Sequence, residues 1–297
     1  MSEVRNPLSV RSWPQLRSTW LPADALVQAT NALMAALIVL SWNKVAHVPS
    51  YLAFHAAVAL LFQILAHKAA ARPHDGHSLL RFVRYWAPAP FVLLVYFELG
   101  LVIPQVHPFT DYRYDHLLHA TDLFLLGDPL LWVERVASRP LSDVLSVCYF
   151  AYYPFVIVVP LFLYARGQYV QYQRVTAVIL VTFLLSFVGY VLIPAIGPHK
   201  LFDATRPAAL DGYGIARYGY AAMRDVTYEP PDVFPSGHTL FGVLVPALAW
   251  RFYRPLFAWL LPMGVGIVLA TFYLRFHYLV DIIAAIALAP LTWKLGL

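Results

Sequence analysis

Two short polar stretches hold the side chains best suited to chemistry. The first, Phe234-Pro235-Ser236-Gly237-His238-Thr239, is a tight turn at the head of an apolar run. Free N–H groups and the positive end of the helix dipole favour an anion there, so an imidazole, a hydroxyl and a glycine at that point suit a phosphate. The second, Tyr273-Leu274-Arg275-Phe276-His277-Tyr278-Leu279-Val280-Asp281, opens the last apolar run. His277 and Asp281 are four residues apart and share a helix face, so the carboxylate can accept a hydrogen bond from one ring nitrogen. That bond fixes the tautomer and leaves the other nitrogen as a lone-pair nucleophile. Taken singly, each stretch has a plainer reading: a Ser-Gly turn is often only a cap, and a His/Asp pair only a local hydrogen bond.

The elements that carry them decide whether they meet. Of 297 residues, 60% are hydrophobic and 12% charged, with a mean hydropathy of +0.63, so this is an integral membrane protein and not a soluble domain. The net charge of +5 is spread over the loops between apolar runs, which argues against nucleic-acid binding. The single cysteine, Cys148, excludes an intramolecular disulfide and a cysteine-cluster metal site. The expected fold is all-α, a polytopic bundle of about eight spans: Leu26 to Trp42, Tyr51 to Ala66, Trp86 to Ile103, Val144 to Ala165, Val175 to Ile193, Thr239 to Phe252, Leu256 to Phe272 and Leu279 to Trp293. The N-terminus lacks the marks of a cleaved signal peptide, so the first run is expected to stay as an anchor.

Two connections are long. Pro104 to Ser142 mixes apolar and polar residues at helical spacing and reads as interfacial helix, with Asp128 capping a helix that has Pro129 in its first position. Its His116 and His119 read as surface residues. Pro194 to Pro235 is rich in aromatic and basic side chains and reads as a lid. Counting crossings places this connection, the Ser236-Gly237-His238 turn and the Arg275 to Asp281 stretch on one face. Of the 21 Lys and Arg, 12 fall on the opposite face, and four of the other nine lie in the long lid, so the short loops favour a cytoplasmic N-terminus. The motif face is then periplasmic, or lumenal in a eukaryote. Segments 1–25, 26–104 and 105–297 read as a cytoplasmic N-terminal segment, three accessory spans and a catalytic core.

Two histidines, an aspartate and several cations on one face form a better phosphate site than a metal site, because the cations repel a dication. A metal-dependent hydrolase is the first rival. A transporter or lipid-binding protein would need its ionisable groups near mid-membrane and not at helix ends. Glu98, inside the third span, reads as a relay, a substrate contact or the partner of a buried polar neighbour.

Together these motifs resemble the type 2 phosphatidic acid phosphatase superfamily, membrane lipid phosphate phosphatases and phosphotransferases that share a site with vanadium haloperoxidases. Pro235-Ser236-Gly237-His238 matches the second family motif, and His277-x3-Asp281 the end of the third. For the first motif, Lys-x6-Arg-Pro, Lys200 and Arg206-Pro207 have five intervening residues. The third motif commonly has an arginine six positions before its histidine, where this chain has Thr271; Arg275 stands two before His277. That wording, with Pro194-Ala195-Ile196-Gly197-Pro198 and Leu126-Gly127-Asp128-Pro129, looks like the inositol phosphorylceramide synthase branch.

The resemblance implies a helical bundle with its site at the mouth of the core helices and no metal or cofactor. It implies that His277 attacks phosphorus to form a phosphohistidine, oriented by Asp281, and that His238 protonates the leaving oxygen and then activates the acceptor. Arg275, Lys200 or Arg206, and the N–H groups around Ser236 and Gly237, would hold the phosphate oxygens. The implied partners are the bilayer and a lipid phosphate or phospholipid; the oligomeric state is left open.

Overall fold

The computed structural model describes residues 20–70, 79–107, 112–202, 210, 212–219 and 231–297. In chain order the helices are α1 (Pro22–Leu40), α2 (Val48–Ala70), α3 (Leu79–Trp86), α4 (Pro88–Val106), α5 (Arg113–Leu126), α6 (Pro129–Val136) and α7 (Arg139–Phe150). They continue as α8 (Tyr152–Ala165), α9 (Tyr169–Leu192), α10 (Pro198–Phe202), α11 (Gly237–Phe252), α12 (Arg254–Tyr273) and α13 (Leu279–Gly296).

The bundle is all-α, and six of its segments are long and apolar enough to cross a membrane: α1, α2, α3 with α4, α9, α12 and α13. The bent pair α7 and α8 makes seven. About eight spans were expected from the apolar runs, and the difference lies in two places. Thr239 to Phe252 belongs to α11, a helix of 16 residues, or about 24 Å at 1.5 Å per residue, shorter than the roughly 30 Å hydrocarbon core although it runs beside α12 from the His238 end to Tyr253 at the other. Val144 to Ala165 is broken by 42° at Ala151. Pro154 explains the break, because its ring would collide with the carbonyl of Phe150 four residues back and it offers no N–H to bond it.

Loops gather at two ends of the bundle. At one end Lys44 and Ala46, between α1 and α2, meet the last turn of α4: the Lys44 ammonium donates to the Val106 carbonyl at 3.3 Å and the Ala46 N–H to Gln105 Oε1 at 2.8 Å. At the other end Tyr172 donates to the Tyr85 carbonyl at 2.7 Å, and Arg166 lies over the Tyr253 ring. Tyr85, Trp86, Tyr164, Tyr169 and Tyr172 cluster there, as aromatic side chains do where a bilayer meets water.

Two cores fill the bundle. One joins α8, α9, α11, α12 and α13 through residues such as Val159, Val178, Leu244 and Ile267. The other joins α1, α2 and α4 to the same α9 through Met34, Phe62, Val95 and Phe187. Helix α9 is thus shared, and 12 of its residues are buried. Helices α11 and α12 approach closely, so that a side chain on Gly264 would run into the Gly242 carbonyl and one on Gly242 would meet Val268 at 2.8 Å. Facing glycines let two membrane helices touch along their backbones. That contact holds the start of α11 beside the end of α12, and so brings the two polar stretches to one end of the molecule.

Candidate functional site

His277 lies on the turn between α12 and α13, and backbone hydrogen bonds deliver it there. The Thr271 carbonyl accepts from both Phe276 N and His277 N at 3.2 Å, so the position where an arginine was looked for instead closes the turn. The imidazole is 3% exposed. Its Nδ1 faces two acceptors, the Val233 carbonyl at 3.1 Å and Asp281 Oδ1 at 3.3 Å. Both require a proton on Nδ1, so in the neutral ring Nε2 carries the lone pair. Burial pulls this imidazole down, but Asp281, Asp232 and the Val233 carbonyl outweigh it and hold the group above the usual histidine range. The second oxygen of Asp281 accepts from Tyr278 N at 2.9 Å, so one carboxylate orients the ring and caps α13.

The His238 ring lies 5.9 Å from that of His277, centroid to centroid. Tyr149 stacks on it at 4.3 Å and 13°, and Tyr152 lies at 4.1 Å. These tyrosines come from the two sides of the break at Ala151, so the bend lets one span offer both rings to one histidine. His238 Nε2 is buried with no hydrogen-bond partner among the described residues. A buried, unpaired ring nitrogen near a second, oriented imidazole is suited to proton transfer.

Ser236 is fully buried, and its hydroxyl accepts from Thr239 N at 3.2 Å, which caps α11. Gly237 packs against Tyr190, whose hydroxyl would be 2.7 Å from any added Cβ. The peptide bond between Phe234 and Pro235 is cis.

Helix α5 ties the surrounding loops together with two carboxylates. Asp122 accepts from Leu279 N at 2.9 Å and Val280 N at 2.7 Å, satisfying two of the N–H groups that open α13. Asp115 is fully buried and accepts from Gly197 N at 2.8 Å, from Ile196 N at 3.1 Å and from the Tyr278 hydroxyl at 3.1 Å. Gly197 has a φ of 99°, and a Cβ there would meet the Phe276 carbonyl at 2.5 Å, so only glycine fits. The neighbouring His119 is partly buried, with its ring 4.4 Å from Phe202, while His116 is exposed as expected.

Arg275 has a φ of 60°, unusual for a residue with a side chain, and is fully buried. Its guanidinium pairs with Glu134 of α6 at 3.4 Å, and its carbonyl accepts from His199 N at 2.8 Å. The structure thus gives Arg275 an acidic partner that sequence reading had not offered it. Lys200 is on α10, directly after the Gly197 turn, and is partly buried. Arg206 lies outside the described residues, as does much of the expected lid from Pro194 to Pro235. The part of that connection that is described is anchored: Asp143 of α7 accepts from Tyr213 N, Gly214 N and Ala216 N at 2.8 to 3.2 Å. Asp128 caps α6 as expected, accepting from Leu130 N at 3.2 Å.

Sequence reading missed Asp232. Its carboxylate accepts from the Tyr96 hydroxyl of α4 at 2.7 Å, and the next residue supplies the carbonyl that holds His277. Burial raises the Asp232 carboxyl above its usual range, although Tyr96 and His277 pull it back. Tyr149 and Tyr152 were also missed, being hidden in a run that read only as an apolar span. A carboxylate just before the Pro-Ser-Gly-His turn was the one available signal. Glu98 belongs elsewhere: it pairs with His55 at 3.0 Å inside the α1, α2 and α4 unit.

Among the described residues, no group of three or more His, Cys, Asp or Glu is arranged to hold a metal ion. A protein-family model described as PAP2 superfamily matches residues 116–295, more than half of the chain. Neither a curated protein nor a solved structure matches it.

Proposed function

The chain belongs to the PAP2 superfamily, and from that premise we propose that it transfers phosphoryl groups from a lipid or isoprenoid phosphate through a phosphohistidine on His277. The observation that carries this reading is the pairing of two unlike imidazoles. His277 has its Nδ1 proton committed to Val233 and Asp281, while His238 keeps a buried, unpartnered Nε2 5.9 Å away between centroids.

In this mechanism His277 Nε2 attacks phosphorus, and the bond to the leaving alkoxide breaks. His238, protonated, gives its proton to that oxygen. The neutral His238 then takes a proton from the acceptor as its oxygen displaces the histidine, which restores both rings. Asp281 and the Val233 carbonyl stabilise the positive charge on the His277 ring during attack. Arg275 would hold phosphate oxygens while shared with Glu134, and Lys200 and Arg206 are the further cations proposed for that task. The Ser236 and Gly237 turn offers the helix-terminal N–H groups of α11.

The acceptor is either water, giving a phosphatase, or an alcohol. Transfer of a phospholipid headgroup to a lipid alcohol, as in the inositol phosphorylceramide synthase branch, is favoured by the Arg275-x-His277-Tyr278 wording. We further place the site on the periplasmic side of a bacterial inner membrane, or the lumenal side in a eukaryote. Lys68, Arg81, Arg84, Arg166 and Arg174, at or near helix ends opposite the site, supply the basic excess expected of a cytoplasmic face.

The test is to incubate purified protein with a panel of lipid phosphates and phospholipids, with and without inositol and other alcohols, and to assay free phosphate and new lipids. Free phosphate alone identifies a phosphatase, and a new headgroup-bearing lipid a transferase. His277→Ala should abolish turnover and the acid-labile, base-stable phosphate label on the protein, with the melting temperature retained. Full activity in His277→Ala would sink the mechanism.

A further inference from the structure

A second polar cluster lies inside the helices that precede the family match. Asn31 of α1, His55 of α2 and Glu98 of α4 are at most 6% exposed. Asn31 Nδ2 donates to the His55 carbonyl at 2.9 Å, which turns its Oδ1 toward His55 Nδ1, 2.8 Å away. His55 therefore carries a proton on Nδ1. Its Nε2 stands 3.0 Å from Glu98 Oε1, close enough to pair, yet that Nε2 and both oxygens of Glu98 are buried without a hydrogen-bond partner among the described residues. A buried carboxylate oxygen in a membrane span is costly without a donor.

Glu98 also lines a cleft of about 390 Å³ between α2 and α4, within the range of small-ligand sites. One wall is apolar, made by Leu94, Phe97 and Leu101, which are 49 to 56% exposed on a membrane-spanning segment and so open toward lipid. The other end reaches His47, in the loop between α1 and α2, and Ser50, in the first turn of α2, both exposed. A staple that only held three helices together would not need the cleft beside it.

We infer that this cleft is a binding site for a membrane amphiphile whose head donates a hydrogen bond, a hydroxyl or a protonated amine on an alkyl chain, received by the Glu98 carboxylate. The tail lies along Leu94, Phe97 and Leu101, and the head enters from the His47 and Ser50 end. Tyr96, two residues from Glu98, points away from this cleft to Asp232, so α4 separates the cleft from the His238 and His277 pair. The inference stands apart from the phosphotransfer reading.

The test is equilibrium binding of radiolabelled hexadecylamine, hexadecanol and palmitate to the full chain in phosphatidylcholine nanodiscs. Saturable binding of the amine, the alcohol or both is expected, with palmitate at least tenfold weaker because its carboxylate meets that of Glu98. Leu94→Trp, which fills the cleft from an exposed position, should weaken binding at least tenfold at an unchanged melting temperature. Glu98→Gln should do the same for the amine, and where that variant fails to fold Leu94→Trp decides. His277→Ala should bind as the wild type does, whatever becomes of its turnover. The site is refuted by absence of saturable binding, by palmitate binding equally well, by an unchanged isotherm in Leu94→Trp, or by loss of binding in His277→Ala.

Discussion

The Tyr96 hydroxyl donates to Asp232 Oδ2 at 2.7 Å across 136 positions of sequence, joining the N-terminal helices to the loop that holds His277. The segment 26–104 contributes a polar contact at the centre of the candidate site as well as a shared apolar core with α9. A hydrogen bond to a charged partner contributes about 1.5–3 kcal/mol. Tyr96→Phe should therefore lower turnover roughly tenfold or more, because about 1.4 kcal/mol in the barrier is tenfold in rate. Unchanged kcat and KM in the purified variant would show that the contact has no bearing on the site.

The pH profile follows from the charge around His277. The imidazole must be neutral at Nε2 to attack, and its environment raises its affinity for the proton. Turnover should fall as pH drops through a value above the ordinary histidine pKa of about 6.5. An opposite charge at this distance shifts a pKa by about 1–3 units, so Asp281→Asn should move the acid limb to lower pH while reducing the maximum rate. An acid limb that stays in place in Asp281→Asn would contradict the pairing.

Packing of α11 on α12 is also open to measurement. Leucine at Gly264 would collide with the Gly242 carbonyl and with Pro246, and overpacking of this kind costs about 1–3 kcal/mol. Gly264→Leu should lower the melting temperature and, by parting His238 from the α12 turn, reduce turnover more than the loss of folded protein explains. Wild-type melting and rate in that variant would mean that the two helices do not depend on close approach.

Chelation separates the proposed chemistry from its first rival. Phosphoryl transfer by the two histidines should persist unchanged after dialysis against EDTA, and restoration of a lost rate by an added divalent cation would favour the metal-dependent hydrolase.

Much of the fold and half of the site were legible in the residues. Apolar runs exposed the helices because a membrane demands length and hydropathy in a continuous stretch, and spacing put His277 and Asp281 on one face. Counting crossings brought His238 and His277 to one end because α11, shorter than the other spans, still runs from that end to Tyr253 at the other. The differences had local causes: α11 is shorter than the hydrocarbon core is thick, and Pro154 breaks what read as one straight span.

What the sequence determined by itself is the membrane class, the helical bundle and the two motifs, because periodicity, composition and i,i+4 spacing are properties of neighbouring residues. The tertiary structure decided who meets whom. Tyr96 and Asp232, Asp122 and the head of α13, Arg275 and Glu134, and the two tyrosines on His238 all join residues from separate helices or loops. The Val233 carbonyl that orients His277 belongs to the backbone, which every residue carries alike, so no side-chain pattern could announce it. Such partners are fixed only when facing glycines set the distance between α11 and α12, and when a proline bend turns Tyr149 and Tyr152 toward one ring.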